Sequence, residues 1–427
     1  MSLKLIRLNT NLARVLCVLV AVVFALIGVM SVRAFFVRTL ATRLDLSNPA
    51  AGEGVEWLVD AGDRDPSSHT VAAVYYEQTF EASDVGRSLQ EYQKAAELSP
   101  NDYVLWLSLA RARSRAGDAD GADAAFRRAR ELAPNYADVQ WAYGNFLVRQ
   151  GRDQEGFPLI AQAAPANPQL AASGVSLMLQ LNGGDAARAH ELLGNSPVVN
   201  ATLASTLVSL KKYDEALAAW REIPAELRGG KYGEASTAVL NAFVAQGKFR
   251  IAAEIVGDLT PADAAKPTVG HIMNGGFEEG VKLRRAGTFE WQIGDVAEPQ
   301  VGLSESQKHG GKYGLAMTFT AFKPGSRDLS QIIAVEPGAR YHLEVWYKNS
   351  VKAEASFKWN VLNASTQAVI ASTDTLAPAD WSLKTVSFQV PSDVDGIRIA
   401  LGREGCTGPS CPASGTIIFD DIALVRE

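Results

Sequence analysis

The residues best suited to chemistry lie on one alternating stretch, Tyr341 to Lys348, YHLEVWYK. Tyr341, Leu343, Val345 and Tyr347 share one parity; His342, Glu344, Trp346 and Lys348 share the other. Successive side chains of an extended chain point to opposite faces, so the second set is expected on a solvent face. A flat indole beside groups that reach hydroxyls can hold a sugar ring: the ring stacks, and the polar neighbours bind its oxygens. By the same alternation Lys358 and Asn360 of the next strand, and Arg398 further on, are expected to join Trp346, Glu344 and His342 there. The alternative for Trp346 is an indole capped by its own chain. Trp291 and Trp381 read as plugs at the two ends of a core, and Trp359 points inward by parity.

Nothing else in the chain assembles a reaction. His69, His190, His271, His309 and His342 are scattered singly. There is no nucleophile elbow, zinc helix or dinucleotide fingerprint, and the glycines around Lys312 are wrongly spaced for a phosphate loop. A binding protein, not an enzyme, is expected. Cys406 and Cys411 read as a disulfide closing a small loop, which needs an oxidising compartment; two free thiols are the alternative. One such pair without a nearby histidine is too few ligands for zinc. The net charge of −6, with no basic stripe, argues against nucleic acid as a partner.

The elements that position these residues differ along the 427-residue chain, which is long enough for two or three domains. Val15 to Val32 contains no charged residue and is long enough to cross a bilayer. Basic residues flank it almost evenly, so charge does not orient it. A cytoplasmic N-terminus is expected, because few residues precede the span and a disulfide needs the far side. No clean small-x-small cleavage site follows, so the span is read as an uncleaved anchor in contact with the lipid bilayer through residues 15–32. Ala34 to Leu46 reads as an interfacial extension, and residues 47–68, with Pro49, Gly52 and Gly54, as a linker.

From His69 the text repeats. Pro100, Pro134 and Pro168 stand 34 residues apart. Counting from Tyr103, Trp106 is fourth, Leu109 seventh, Ala122 twentieth, Phe126 twenty-fourth and Ala129 twenty-seventh; Gly144 and Ala163 take the eighth and twenty-seventh places from Ala137. This resembles the tetratricopeptide repeat, which implies stacked helix pairs with a groove for a protein partner. Weaker copies, such as KKYDEALAAWREIP from Lys211, extend the pattern to residue 260 and give about five to six pairs. Trp106, Trp141 and Trp220 are expected in the core. Arg111, Arg113 and Arg115 alternate, and alternate helical residues point about 200° apart, so the three cannot form one strip.

Residues 261–427 change to short alternating runs separated by Pro and Gly, as in an antiparallel sandwich. Three phrases, NGGFE from Asn274, HGGKYGL from His309 and FDDIAL from Phe419, resemble the jelly-roll carbohydrate-binding modules that accompany glycanases. The resemblance implies a structural calcium where the first and last strands meet, with Glu278, Asp420 and Asp421 at the acidic positions; the alternative is carboxylates that accept backbone N–H bonds. The expected architecture is therefore a multidomain chain. Residues 1–46 carry the transmembrane helix, 47–68 the linker, 69–260 an all-α helical-repeat solenoid, and 261–427 an all-β jelly-roll sandwich. The combination resembles bacterial inner-membrane proteins of exopolysaccharide or surface-polysaccharide assembly. That implies a scaffold with its soluble part in the periplasm, holding protein and polysaccharide. The alternative is a protein adaptor whose sandwich is a structural cap.

Overall fold

The computed structural model describes residues 11–48, 51–79, 81–296, 298–320, 328–405 and 412–427. Two compact units cover residues 1–194 and 195–427. The first unit is helical: α1 (Asn11–Arg43), α2 (Ala51–Ala61), α3 (Pro66–Gln78), α4 (Ala82–Leu98), α5 (Tyr103–Arg115), α6 (Ala119–Leu132), α7 (Ala137–Arg149), α8 (Asp153–Ala163), α9 (Pro168–Leu181) and α10 (Ala186–Leu193). The second begins with α11 (Pro197–Ser209), α12 (Tyr213–Arg221), α13 (Ala225–Arg228), α14 (Gly233–Ala245) and α15 (Phe249–Leu259). Pairing α3 with α4 and onward gives four repeat pairs in the first unit. The second unit adds α11–α12 and α14–α15.

The period works because caps and small residues recur with it. Asp102 accepts the Val104 N–H and Asp118 the Gly121 N–H, each starting a helix where the spacing requires one. Ala122, Phe126 and Ala129 lie on one face of α6 at no more than 1% exposure, and the Phe126 ring packs 5.0 Å from Phe146 of the next pair. The third proline behaves differently from the first two. Pro168 opens α9, with Asn167 as the cap accepting from Leu170 N, because α8 stops early at Ala163. Trp220 is buried and donates to Ser236 Oγ at 2.8 Å, as a core tryptophan should. Trp106 is half-buried and donates to Pro100 O at 2.9 Å. Trp141 departs from the core reading: it is half-buried at the mouth of a cleft.

Among the described residues one helix, α1, is long and apolar enough to cross a membrane. Its 33 residues span about 50 Å, well beyond a hydrocarbon core of about 30 Å. The extra turns pack on one side, where Val37 is 2% exposed, and leave Phe35 and Phe36 exposed on the other. Arg33 donates to Ala61 O (2.7 Å) and Asp60 O (3.0 Å), the carbonyls that end α2, and Arg38 pairs with Asp65 at 3.3 Å. The linker expected over residues 47–68 is instead largely helix. Ala51, Val55 and Leu58 recur at four- and three-residue steps and are buried, so α2 packs despite Gly52 and Gly54.

The remainder of the second unit is a sandwich of antiparallel strands: β1 (Gln292–Ile293), β2 (Gln300–Ser304), β3 (Gly314–Phe319), β4 (Leu329–Ala334), β5 (Arg340–Asn349), β6 (Lys352–Ala353), β7 (Ser356–Asn363), β8 (Val369–Ser372), β9 (Ala379–Gln389), β10 (Gly396–Glu404) and β11 (Ala413–Arg426). One sheet has the order β1-β4-β10-β7-β8 and the other β2-β3-β11-β5-β9. We call them the β4 sheet and the β5 sheet. The parity read from sequence holds: Tyr341, Leu343, Val345, Tyr347, Trp359, Val361, Ile397 and Ile399 are all buried in the shared core. Helix α15 belongs to this unit too. Phe249, Ala252 and Ala253 form one buried cluster with Phe289, Ala334 and Ala364.

Candidate functional site

The β5 sheet builds the aromatic surface. Trp346 stands opposite Leu383 of β9 and Asp420 of β11, so the three share one outward face. His309 lies on the indole, with ring centroids 3.8 Å apart and planes 15° from parallel, so one face of Trp346 is capped by the chain itself, as in the alternative read from sequence; the His309 centroid is 5.5 Å from Trp381. Trp346 and Trp381 are half-buried, while Leu383 is 43% exposed. Trp381 is therefore not a core plug; Trp291, at 3% exposure, is part of the core. Around the aromatics, His342 Nε2 is 3.1 Å from Glu344, and Lys348 pairs with Asp380 at 3.0 Å. The Asp380 carboxyl is held below its usual range by Lys348 and by the Trp381 N–H.

The other half of the expected patch lies elsewhere. Lys358, Asn360 and Arg398 are on β7 and β10 of the β4 sheet, on the opposite face of the sandwich from Trp346. Alternation fixes inward or outward, but the chain after β5 crosses to the other sheet instead of turning back beside it. These three are occupied as well. Lys358 pairs with Glu404 at 2.6 Å, Asn360 accepts from Ser372 at 2.7 Å, and Arg398 donates to Gln367 at 2.8 Å and pairs with Asp328. Part of that face lies under α15, since Phe249 packs against Gly396.

The acidic residues of the first and last strands form a clamp on the loop carrying His309. Asp420 Oδ2 accepts from His309 N (2.7 Å) and Gly310 N (3.0 Å), and its Oδ1 from Asp421 N (2.8 Å). Glu278 receives the Lys312 N–H on both oxygens, at 2.8 and 2.9 Å. Asp421 Oδ2 sits 2.7 Å from His309 Nδ1. Asp420 is fully buried, and burial pushes its carboxyl above the usual range against the pull of the three amides. A calcium ion needs six or more oxygens turned toward it. Here the oxygens of Asp420 and Glu278 already accept backbone N–H groups, the alternative read from sequence, and among the described residues no three His, Cys, Asp or Glu side chains are grouped to hold a metal. Asp420 and Glu278 are therefore engaged in holding the loop, whereas the calcium expectation at Glu278, Asp420 and Asp421 calls for oxygens turned toward a cation. Cys406 and Cys411 lie outside the described residues.

Sequence reasoning missed the platform's true members, His309 and Trp381. Neither shares a strand with Trp346. The signal was the Asp pair in FDDIAL, whose amide partners turn out to be the His309 loop.

Residues 269–403 match the family described as Carbohydrate binding domain. Three similar solved structures can be named. A CBM4 module is 20% identical, covering 36% of this chain and 99% of that one, with a TM-score of 0.28. TmCBM61 in complex with beta-1,4-galactotriose is also 20% identical, covering 36% and 96%, with a TM-score of 0.27. Pseudomonas aeruginosa pilF is 20% identical, covering 45% and 89%, with a TM-score of 0.28. No curated protein matches the chain in sequence. By its own helix pairs and sheets the class is a tetratricopeptide-like helical array followed by an antiparallel β-sandwich. The family match is confined to that C-terminal part.

Proposed function

We propose that the protein is a membrane-anchored, non-enzymatic scaffold of the cell envelope. Its helix pairs hold a protein partner, and the β5 sheet holds a glycan on Trp381 and His309, with Trp346 backing the His309 ring. The observation that carries the glycan reading is this aromatic platform, flanked by Glu344, His342 and Lys348. Trp346 lies within the stretch matching the carbohydrate-binding family. Stacking and hydroxyl recognition are both within reach there.

Affinity electrophoresis of the full chain through gels containing neutral and acidic polysaccharides tests the site. A gel that retards the native chain is expected to release Trp346→Ala, with retention falling about tenfold, the scale of one lost aromatic contact. Equal retention by the variant, with an unchanged melting curve, would remove the platform. Retention lost in Lys358→Ala instead would move the site to the β4 sheet.

The scaffold is placed in the inner membrane with its soluble part outside the cytoplasm, in assembly of an exopolysaccharide or surface polysaccharide. Length and composition of α1 support the anchor. Maleimide labelling at Cys406 and Cys411, after reduction, is expected in cells with only the outer barrier opened. Labelling that requires rupture of the inner membrane would reverse the orientation.

A second reading is favoured by the α15 junction: the sandwich is a structural cap on the helices. The cluster of Phe249, Ala252 and Ala253 with Ala334 and Ala364 is what a cap requires.

A further inference from the structure

A pocket of about 470 Å³ opens where α1 leaves its apolar run. Met30, Arg33, Ala34, Val37 and Arg38 line it from α1, and residues 61–65 close it from the end of α2 and the turn into α3. At about 1.5 Å per residue, Val15 to Val32 rises about 27 Å, close to the ~30 Å of a hydrocarbon core. Arg33 therefore falls at the hydrocarbon boundary, with Met30 one turn inside it. Helical side chains lean toward the N-terminus, so Arg38 reaches back toward the same level. We propose that this pocket binds the phosphate of an anionic phospholipid, with Arg33, Arg38 and Arg64 around the phosphate and an acyl chain running past Met30. The inference rests on the reading that α1 spans a bilayer, and it names the lipid that the anchor selects.

Two observations carry it. First, cationic capacity is left over in the pocket. Arg33, Arg38 and Arg64 are all exposed. The two aspartates in the lining are engaged: Asp65 accepts from Ser67 N at 2.9 Å and from Arg38 Nε at 3.3 Å, and Asp63 lies 3.9 Å from Lys94. Arg38 keeps its Nη groups, and its side chain is 77% exposed. Arg33 donates through Nε and Nη2 to the carbonyls that end α2, which fixes its guanidinium and leaves Nη1 for a ligand. Arg64 has no carboxylate within ion-pair distance among the described residues. Second, the surface at this level is apolar where water would be its only other cover. Met30 is 67% exposed, Phe35 66% and Phe36 58%, as suits side chains lying at the boundary of headgroups and acyl chains. Guanidinium forks match pairs of phosphate oxygens. An ethanolamine or choline headgroup would bring a cation against three arginines, whereas a glycerol headgroup would not. Met30 carries the lining into the hydrocarbon level, a wall that a soluble phosphate would leave uncovered.

The test uses the full chain. Native mass spectrometry from detergent compares retention of phosphatidylglycerol and phosphatidylcholine with the same acyl chains, with glycerol 3-phosphate as a soluble competitor. Flotation with phosphatidylcholine vesicles checks the anchor separately. Phosphatidylglycerol is expected to be retained at least about tenfold better than phosphatidylcholine, and Arg64→Gln to lower that preference about fivefold, the scale of one cation at a membrane surface. Arg64→Lys keeps the charge should the glutamine variant misfold, and is expected to keep part of the preference. Arg43→Gln, exposed on the last turn of α1 outside the pocket, should leave it unchanged. A chain that floats but shows no preference overturns the headgroup inference while leaving the anchor. A chain that does not float removes both readings. An equal loss in Arg43→Gln overturns the pocket in favour of diffuse attraction to the surface. Displacement of phosphatidylglycerol by micromolar glycerol 3-phosphate overturns the inference in favour of a soluble phosphate ester.

Discussion

Asp420→Ala is expected to destabilise the sandwich by about 3 kcal/mol and to abolish glycan retention, although Asp420 would touch no sugar. The carboxylate takes three backbone N–H groups, from His309, Gly310 and Asp421. A buried donor left without a partner costs about 1–3 kcal/mol, and here the loop can swing some of its amides out to water. That escape limits the loss of stability and also removes the site. His309 would leave the Trp346 ring as the loop lifts, because Glu278 on Lys312 and Asp421 on the imidazole leave the His309 and Gly310 amides without an acceptor. Thermal unfolding and affinity electrophoresis of one preparation measure the two effects. Asp420→Asn separates charge from geometry, because it keeps one acceptor oxygen but turns an NH2 toward one of the amides. It should fall between the native chain and Asp420→Ala. An Asp420→Ala chain that melts normally and still binds glycan would show that the clamp does not hold the platform.

The same clamp predicts the response to calcium. With the carboxylate oxygens facing amides, millimolar calcium or a chelator is expected to leave the melting midpoint where it was. A midpoint that rises with calcium would put a cation among Glu278, Asp420 and Asp421 and displace the amides from that role.

What was legible in the sequence follows from the range of the interactions involved. The helix pairs could be read because a 34-residue period repeats the same local choices, a cap such as Asp102 or Asp118 and small residues such as Ala122 and Ala129. Strand parity could be read because Tyr341 to Tyr347 alternate over a short range. Sheet membership could not. The parity of Lys358 is the same whether its strand turns back beside Trp346 or crosses to the far sheet, and only long-range pairing with β10 decides. His309 on Trp346 is a contact of the same kind, set by a carboxylate more than a hundred residues away. The cleft lined by Arg111 and Arg115 of α5 and by Trp141 and Arg149 of α7 was half visible. Treating Arg111, Arg113 and Arg115 as one alternating strip correctly ruled out a shared face for all three. It passed over the four-residue step between the outer two and its echo at Arg149.

The junction between α15 and the sandwich decides how independent the sandwich is, and it carries the other large prediction. Phe249 is 2% exposed, and a Cβ placed on Gly396 of β10 would lie 2.1 Å from its ring. Phe249 N donates to Asp395 Oδ1 at 2.8 Å, so the sandwich caps the start of this helix. Arg250 reaches Glu336 at 3.4 Å and Asp395 at 3.7 Å. Phe249→Ala is expected to cost about 3–5 kcal/mol, the usual loss for a buried phenylalanine. Gly396→Val should cost about 3 kcal/mol, because a fully packed ring cannot yield to the new methyls. In the double variant the valine enters the space the ring has left. The combined loss should therefore fall short of the sum by at least about 1 kcal/mol, which denaturant unfolding of the four chains measures as a coupling energy. Such coupling would make α14, α15 and the sandwich one cooperative body, so that a glycan on the β5 sheet would also stabilise these two helices. Additive losses, or a sandwich transition untouched by Phe249→Ala, would mean that the helices and the sandwich unfold independently and that the cap reading is wrong.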